Sequence, residues 1–168
     1  AEIGDLQNRI KAAHTAGHGD AVRYFIFAST SRHVFSLGGD VNLFAQLITS
    51  RDRDAMYRYG KACVDSVYAD AVGFGVPDLT TISLVQGQAL GGGFECALSC
   101  NVLIAEEQAK MGFPEILFNL FPGMGALSIL QRKLGLRDAE RIVSTGELYP
   151  AKYLFDAGAV DQLAPRGE

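Results

Sequence analysis

Glu95 and Glu115 are the residues of this chain best placed, by type and setting, to move protons. Glu95 follows Gly91-Gly92-Gly93 and stands between Phe94 and Cys96. Glu115 lies in Gly112-Phe113-Pro114-Glu115-Ile116-Leu117-Phe118. A carboxylate in apolar company loses hydration, and its pKa rises toward the range useful for acid–base work near neutral pH. A helix N-terminus beside Glu95 would pull the other way. Two carboxyls in unlike surroundings can divide the acid and base roles. Taken singly, each is also an ordinary first-turn or surface glutamate, and the local sequence leaves that alternative open.

Backbone donors come next. The apolar run Thr81–Val85 (TISLV), then a glycine-rich turn, then a helix with Glu95 in its first turn is a unit that exposes N–H groups. Glycines let the chain approach a ligand closely, and the first amides of a helix have no partner within it. Such a site suits an anion or a developing oxyanion. The plainer alternative is a tight strand–helix crossover with glycines for packing. Phe35-Ser36-Leu37-Gly38-Gly39-Asp40 could present a further amide, or be a simple helix start.

Other chemistries find no support. Gly123-Met124-Gly125 lacks the third glycine of a dinucleotide fingerprint and follows a proline, not a strand. There is no nucleophile elbow and no phosphate loop. His14 and His18 are spaced like metal ligands but lack the glutamate of HExxH, so they read as a solvated pair at a helix end. No metal site is expected. Cys96 and Cys100 read as small core residues. Phe113, Phe118 and Phe121 are core or the wall of an apolar pocket.

The elements that must hold these groups follow from periodicity and breakers. Ile3, Leu6 and Ile10 predict a helix over 3–14, ended by Gly17 and Gly19. Val22–Ala28 reads as a buried strand. Asp40 stands at an N-cap position before a helix, and a longer helix spans about 52–72, with Met56, Tyr59, Cys63 and Val67 on one face. Thr81–Val85 and Asn101–Ala105 are strands flanking a helix over Phe94–Ser99, and 114–122 is apolar and irregular. Helices follow at 125–134 and 137–145 with Gly135 between them as a C′ residue. Pro150 at N1 opens a last helix to Ala157, and Val160–Leu163 is a final short strand. The alternation is that of an α/β domain with parallel strands.

Composition sets the outer bounds. The chain has 168 residues, with 15 Lys and Arg against 19 Asp and Glu, a net charge of −4. Hydrophobic residues at 48% supply a core, which argues against disorder. Mild acidity argues against nucleic acid as a partner. No apolar run reaches the roughly 18 residues of a membrane span. Three cysteines without a CxxC favour a reducing, cytoplasmic setting. The chain opens on Ala1, with no initiator Met and no signal-peptide pattern. The 19 glycines exceed the usual ~7% share and cluster at the motifs above.

Taken together, Phe35–Asp40 (FSLGGD), Val85–Cys100 (VQGQALGGGFECALSC) and Phe113–Gly125 (FPEILFNLFPGMG) resemble the crotonase, or enoyl-CoA hydratase/isomerase, superfamily, in its order and spacing. Ala151–Val160 is similar to its downstream helix and turn. Within the superfamily, Met111–Ala126 and Pro165-Arg166-Gly167 look closest to RpfF-type diffusible signal factor synthases; ordinary hydratases often carry glycine where Asn119 stands. The resemblance implies a ββα-superhelix (spiral) core, one domain over 1–168. It also implies a core truncated at both ends, without the family's N-terminal strands and C-terminal helical segment.

The same resemblance implies roles. Glu95 and Glu115 map onto the family's two catalytic glutamates, and the N–H groups of Leu37 and Gly92 onto its oxyanion hole. Gly38, Gly39, Gly91, Phe113, Leu117, Phe118 and Met124 fall where the substrate binds. The implied activity is hydration of 2-enoyl or dehydration of 3-hydroxyacyl thioesters carried on coenzyme A or acyl carrier protein. A synthase would also release the free acid as a thioesterase. No cofactor is implied, and the family's usual assembly is a homotrimer or hexamer. An enoyl-CoA isomerase and a non-catalytic binding subunit are the alternatives.

Overall fold

Pairs of strands alternate with helices along the chain, and each pair sends one strand to each of two sheets. The computed structural model of the protein describes residues 2–18 and 22–167. After helix α1 (Glu2–Ala13) come strands β1 (Tyr24–Ala28) and β2 (Val34–Ser36), then helices α2 (Val41–Thr49) and α3 (Arg53–Ala71). Strands β3 (Thr80–Val85) and β4 (Gln88–Leu90) lead into helix α4 (Gly92–Ser99). Strands β5 (Val102–Glu106) and β6 (Lys110–Gly112) lead into a 3-10 turn (Pro114–Phe118) and helices α5 (Ala126–Leu134) and α6 (Leu136–Thr145). Strand β7 (Leu148–Pro150), helix α7 (Ala151–Ala157) and strand β8 (Gln162–Ala164) follow.

One sheet has the order β1-β3-β5-β8 with every pair parallel; the other has the order β2-β4-β6-β7, parallel except for β6 with β7. This is a ββα superhelix. Two aspartates set its helix starts. Asp40 accepts the amides of Asn42 and Leu43 at 3.0 Å, and Asp52 accepts that of Ala55 at 2.9 Å. Each such cap is worth about 1 kcal/mol.

The main core lies between the sheets and helices α4–α7. It includes Phe94, Leu98, Leu103, Met111, Phe113, Leu130, Ile142 and Leu154, all buried. A smaller cluster, Phe74, Val76 and Leu79, packs against Ile10 and Phe25.

Several expectations are corrected. The strand expected to be buried over Val22–Ala28 starts at Tyr24 and lies at a sheet edge, with Tyr24 65% and Ile26 55% exposed. Its apolar content marks a strand, but only Phe25 and Phe27 turn inward, stacking edge-on with ring centroids 4.7 Å apart. Pro150 is the N-cap of α7, not N1: its ψ of 147° is extended, and it is the last residue of β7. The stretch after Pro114 is not irregular throughout but opens with a 3-10 turn. The last strand is shifted to Gln162–Ala164. His14 is half-buried, not solvated, in a π-helical turn closed by Gly17 at φ 75°. Gly19 lies outside the described residues. Strands β2, β4, β6 and β7, three residues each, are additions to the expected set.

Gly93 shows how tightly the superhelix is wound. A Cβ there would lie 2.5 Å from the Ser36 carbonyl oxygen and 2.6 Å from Ser36 Cβ. Glycine to alanine within a helix ordinarily gains up to ~1 kcal/mol. Here the collision is with backbone, and overpacking of this kind costs about 1–3 kcal/mol. Gly93→Ala is therefore expected to lower the urea midpoint of unfolding; an unchanged or higher midpoint would show that β2 can move away from α4 without cost.

Candidate active site

Three neighbouring strands of the second sheet, β2, β4 and β6, run parallel, so their C-terminal ends open on the same side. The loops that leave them are 37–40, 91–92 and 113–115, which carry all three sequence motifs. Ligands of parallel α/β sheets bind at this end of the strands.

The two glycine loops touch. A Cβ on Gly38 would stand 2.8 Å from the Leu90 carbonyl oxygen and 3.1 Å from the Gly92 nitrogen, so only glycine, here at φ 90°, lets residues 37–39 lie against the start of α4. Gly92 is the first residue of that helix, and its amide has no acceptor within it. Gly91 adopts φ 54° and ψ −126°, a conformation nearly confined to glycine, and the Glu115 carboxyl packs directly on its Cα. Met124 covers Gly92: its Cε would be 2.8 Å from a Cβ at that position.

The glutamates are held differently. Glu95 is 1% exposed, and its Oε1 accepts the amides of Met124 at 2.7 Å and Ala126 at 3.0 Å. Burial pushes its pKa up, the amides of Ala126 and Met124 pull it back, and the nearby Glu115 charge adds to the rise. Glu115 is half-buried at the head of the 3-10 turn, and its enclosed Oε2 bonds to no protein group. Burial raises its pKa too, with only its own backbone amide opposing. Burial thus raises both carboxyls, and they differ in their donors: Glu95 accepts two amides from the segment leading into α5, whereas Glu115 has only its own amide opposing the rise.

The remaining expected residues divide. Gly38, Gly39, Gly91, Gly92 and Met124 meet at the loops. The Leu37 side chain is 61% exposed, beside them. Phe113 is not an open pocket wall: it is fully buried and stacks on Phe94, centroids 4.9 Å apart, behind Glu115. Leu117 and Ile116 close over Gly146, whose Cβ would meet Leu117 Cγ at 2.9 Å; Leu117 and Phe118 are otherwise about two-thirds exposed. Two contributors lie outside the expected set. Ser36 Oγ accepts the Gly38 amide at 3.3 Å, and the Tyr59 hydroxyl accepts the Asp40 amide at 3.2 Å. No group of three or more His, Cys, Asp or Glu among the described residues could hold a metal ion. No described helix is long and apolar enough to cross a membrane.

A model of the enoyl-CoA hydratase/isomerase family matches residues 6–168. The chain belongs to this family. It is 28% identical over 167 residues to the fatty acid oxidation complex subunit alpha of Idiomarina loihiensis, spanning 98% of this chain and 22% of that protein. Among solved structures, an enoyl-CoA hydratase from Bacillus anthracis shares the fold with a TM-score of 0.84 at 23% identity, covering 98% of this chain and 58% of that one. DspI of Pseudomonas aeruginosa superposes with a TM-score of 0.79 at 29% identity, covering 99% and 64%. This hydratase/isomerase-family chain therefore spans less than two-thirds of the length of these relatives.

Proposed function

We propose that this chain hydrates 2-enoyl thioesters and, in reverse, dehydrates 3-hydroxyacyl thioesters. The observation that carries the reading is the meeting of two desolvated, differently held carboxyls with two glycine loops at one sheet end. The thioester carbonyl binds between the N–H groups of Leu37 and Gly92. Glu95, ionised, takes a proton from water as the oxygen bonds to Cβ. The π electrons move onto the thioester oxygen, and the enolate collapses as Cα takes the proton of Glu115. The two donors stabilise the enolate more than the substrate, and one such donor is worth ~3 kcal/mol. No redox group or metal is called for, since the thioester itself acidifies Cα.

A finer reading rests on the stretch Met111–Ala126. Asn119 occupies a left-handed conformation at φ 57°, which asparagine tolerates better than most residues, where ordinary hydratases often carry glycine. That conformation accounts for asparagine at this position; the synthase that also hydrolyses its thioester rests on the resemblance of Met111–Ala126 alone. Incubation with crotonyl and longer 2-enoyl and 3-hydroxyacyl thioesters, on coenzyme A and on acyl carrier protein, with products read by mass spectrometry, separates the readings. Interconversion of enoyl and 3-hydroxyacyl thioesters is expected; double-bond migration alone would mark an isomerase. Free unsaturated acid would support the synthase. Binding without turnover on either carrier would leave a non-catalytic subunit and overturn the proposal.

A further inference from the structure

The loop that would offer the Leu37 amide is intrinsically loose. Between Ser36 and Asp40 lie one exposed leucine and two glycines, and glycine loses more conformational freedom on ordering than any other residue. An oxyanion donor, by contrast, must be held within a few tenths of an ångström. Two side-chain oxygens meet this need. Ser36 Oγ, at the end of β2, takes the Gly38 amide at 3.3 Å, and the Tyr59 hydroxyl, reaching over from α3, takes the Asp40 amide at 3.2 Å. The loop is thus pinned on either side of Gly39.

Tyr59 is itself fixed. Its ring meets Phe44 of α2 edge-on, centroids 5.2 Å apart and planes at 85°. A Cβ on Gly39 would lie 3.1 Å from the Phe44 ring and 3.6 Å from the Tyr59 hydroxyl, so the loop rests on this aromatic pair. One turn along α3, burial pushes the Cys63 thiol up. The Tyr59 hydroxyl beside it partly offsets the rise, and Glu95 adds to it. Helix α3 packs against both α2 and α4, the helices that follow the two glycine loops.

We infer that Tyr59, with Ser36, is a positioning residue that aims the Leu37 amide at the thioester oxygen. The inference rests on the oxyanion role proposed above for Leu37 and Gly92. Neither side chain touches the reacting atoms; each acts through the loop. Misaiming one of two donors should cost less than deleting it, so Tyr59→Phe is expected to lower kcat about tenfold with KM nearly unchanged. Tyr57→Phe, on the exposed side of the same helix, should leave both unchanged.

The decisive readout is spectroscopic. A dimethylaminocinnamoyl thioester of coenzyme A absorbs at longer wavelength when its carbonyl is polarised, without needing either glutamate to react. Wild type should shift the probe to the red, and Tyr59→Phe should shift it less at saturation, with an unchanged melting temperature. Tyr59→Phe removes one oxygen and keeps the ring on Phe44. Should it still fail to fold, Ser36→Ala withdraws the other pin from the same loop and is expected to weaken the shift likewise. A full red shift in wild type and in the folded variants overturns the positioning role alone. Absence of any shift in wild type, with the probe bound, overturns the oxyanion reading on which it stands.

Discussion

Glu95→Gln and Glu115→Gln are each expected to lower kcat for enoyl-thioester hydration by about 10²–10⁴-fold while the fold survives. The fold should survive because glutamine keeps what structure asks of each position. At 95 its amide oxygen can still accept the Met124 and Ala126 amides. At 115 no protein group bonds Oε2, so nothing there is orphaned by the exchange. What disappears is a proton acceptor in one case and a donor in the other.

The pH profiles identify which is which. Both carboxyls sit above the ordinary range, chiefly through burial. An ionised Glu95 acting as base loses activity as pH falls through its raised pKa; a protonated Glu115 acting as acid loses activity as pH rises through its own. In wild type the Glu115 charge adds to the rise at Glu95, so the limbs are cleanest in the single variants. Each variant leaves one carboxyl, so the residual rate of Glu95→Gln should keep only the alkaline decline and that of Glu115→Gln only the acid one. Near wild-type rates in both would remove the proposed mechanism, and exchanged limbs would exchange the roles.

The same residues show what could be read before the structure and what could not. Both glutamates and the glycine runs were visible locally as candidates, but a first-turn glutamate and a tight crossover accounted for them as well; it was the three motifs together, in order and spacing, that carried the resemblance. That residues 37–39 meet residues 90–92 is a consequence of β2 pairing with β4, and both strands are three residues long. Three residues are too few for alternation to show. β1 was legible as a strand, but whether a strand is central or at an edge depends on its partners, so the exposure of Tyr24 and Ile26 was hidden. The helix α3 pattern of Met56, Tyr59, Cys63 and Val67 was legible as a face. Its next position is Asp70, three residues beyond Val67. A carboxylate continuing an apolar stripe was the available signal for a buried acid, and its partner Gln7 lay too far away in sequence to suggest it.

Asp70 supplies the other large effect: Asp70→Asn is expected to stabilise the chain by on the order of 3 kcal/mol at pH 8 and by almost nothing near pH 4. The side chain is fully buried. Oδ1 accepts a single hydrogen bond from Gln7 Nε2 at 2.7 Å, while Oδ2 faces only the Cys96 thiol at 4.0 Å. Burial outweighs the Gln7 bond and lifts the carboxyl from 3.8 to about 7. Its charge also helps to hold the Cys100 thiol up at about 12, after burial. Because the folded pKa is raised, the folded chain binds the proton more tightly than the unfolded chain. Below pH 3.8 both states are protonated and Asp70 costs nothing. Between 3.8 and about 7 the unfolded state gives up its proton first and wild type loses stability. Above 7 the loss is complete, because the buried acid must ionise or stay protonated against the solvent. Asparagine keeps the shape and the acceptor for Gln7 and removes the titration. Urea midpoints of wild type and Asp70→Asn at pH 4, 6 and 8 isolate this one group, since every other titration cancels in the difference. A gap that opens with rising pH confirms that folding raises the Asp70 pKa. A gap that is constant, or that favours wild type at pH 8, means that folding does not raise it. Since Asp70 borders Cys96, the residue next to Glu95 on α4, a charge there would also bear on the helix that carries the proposed base.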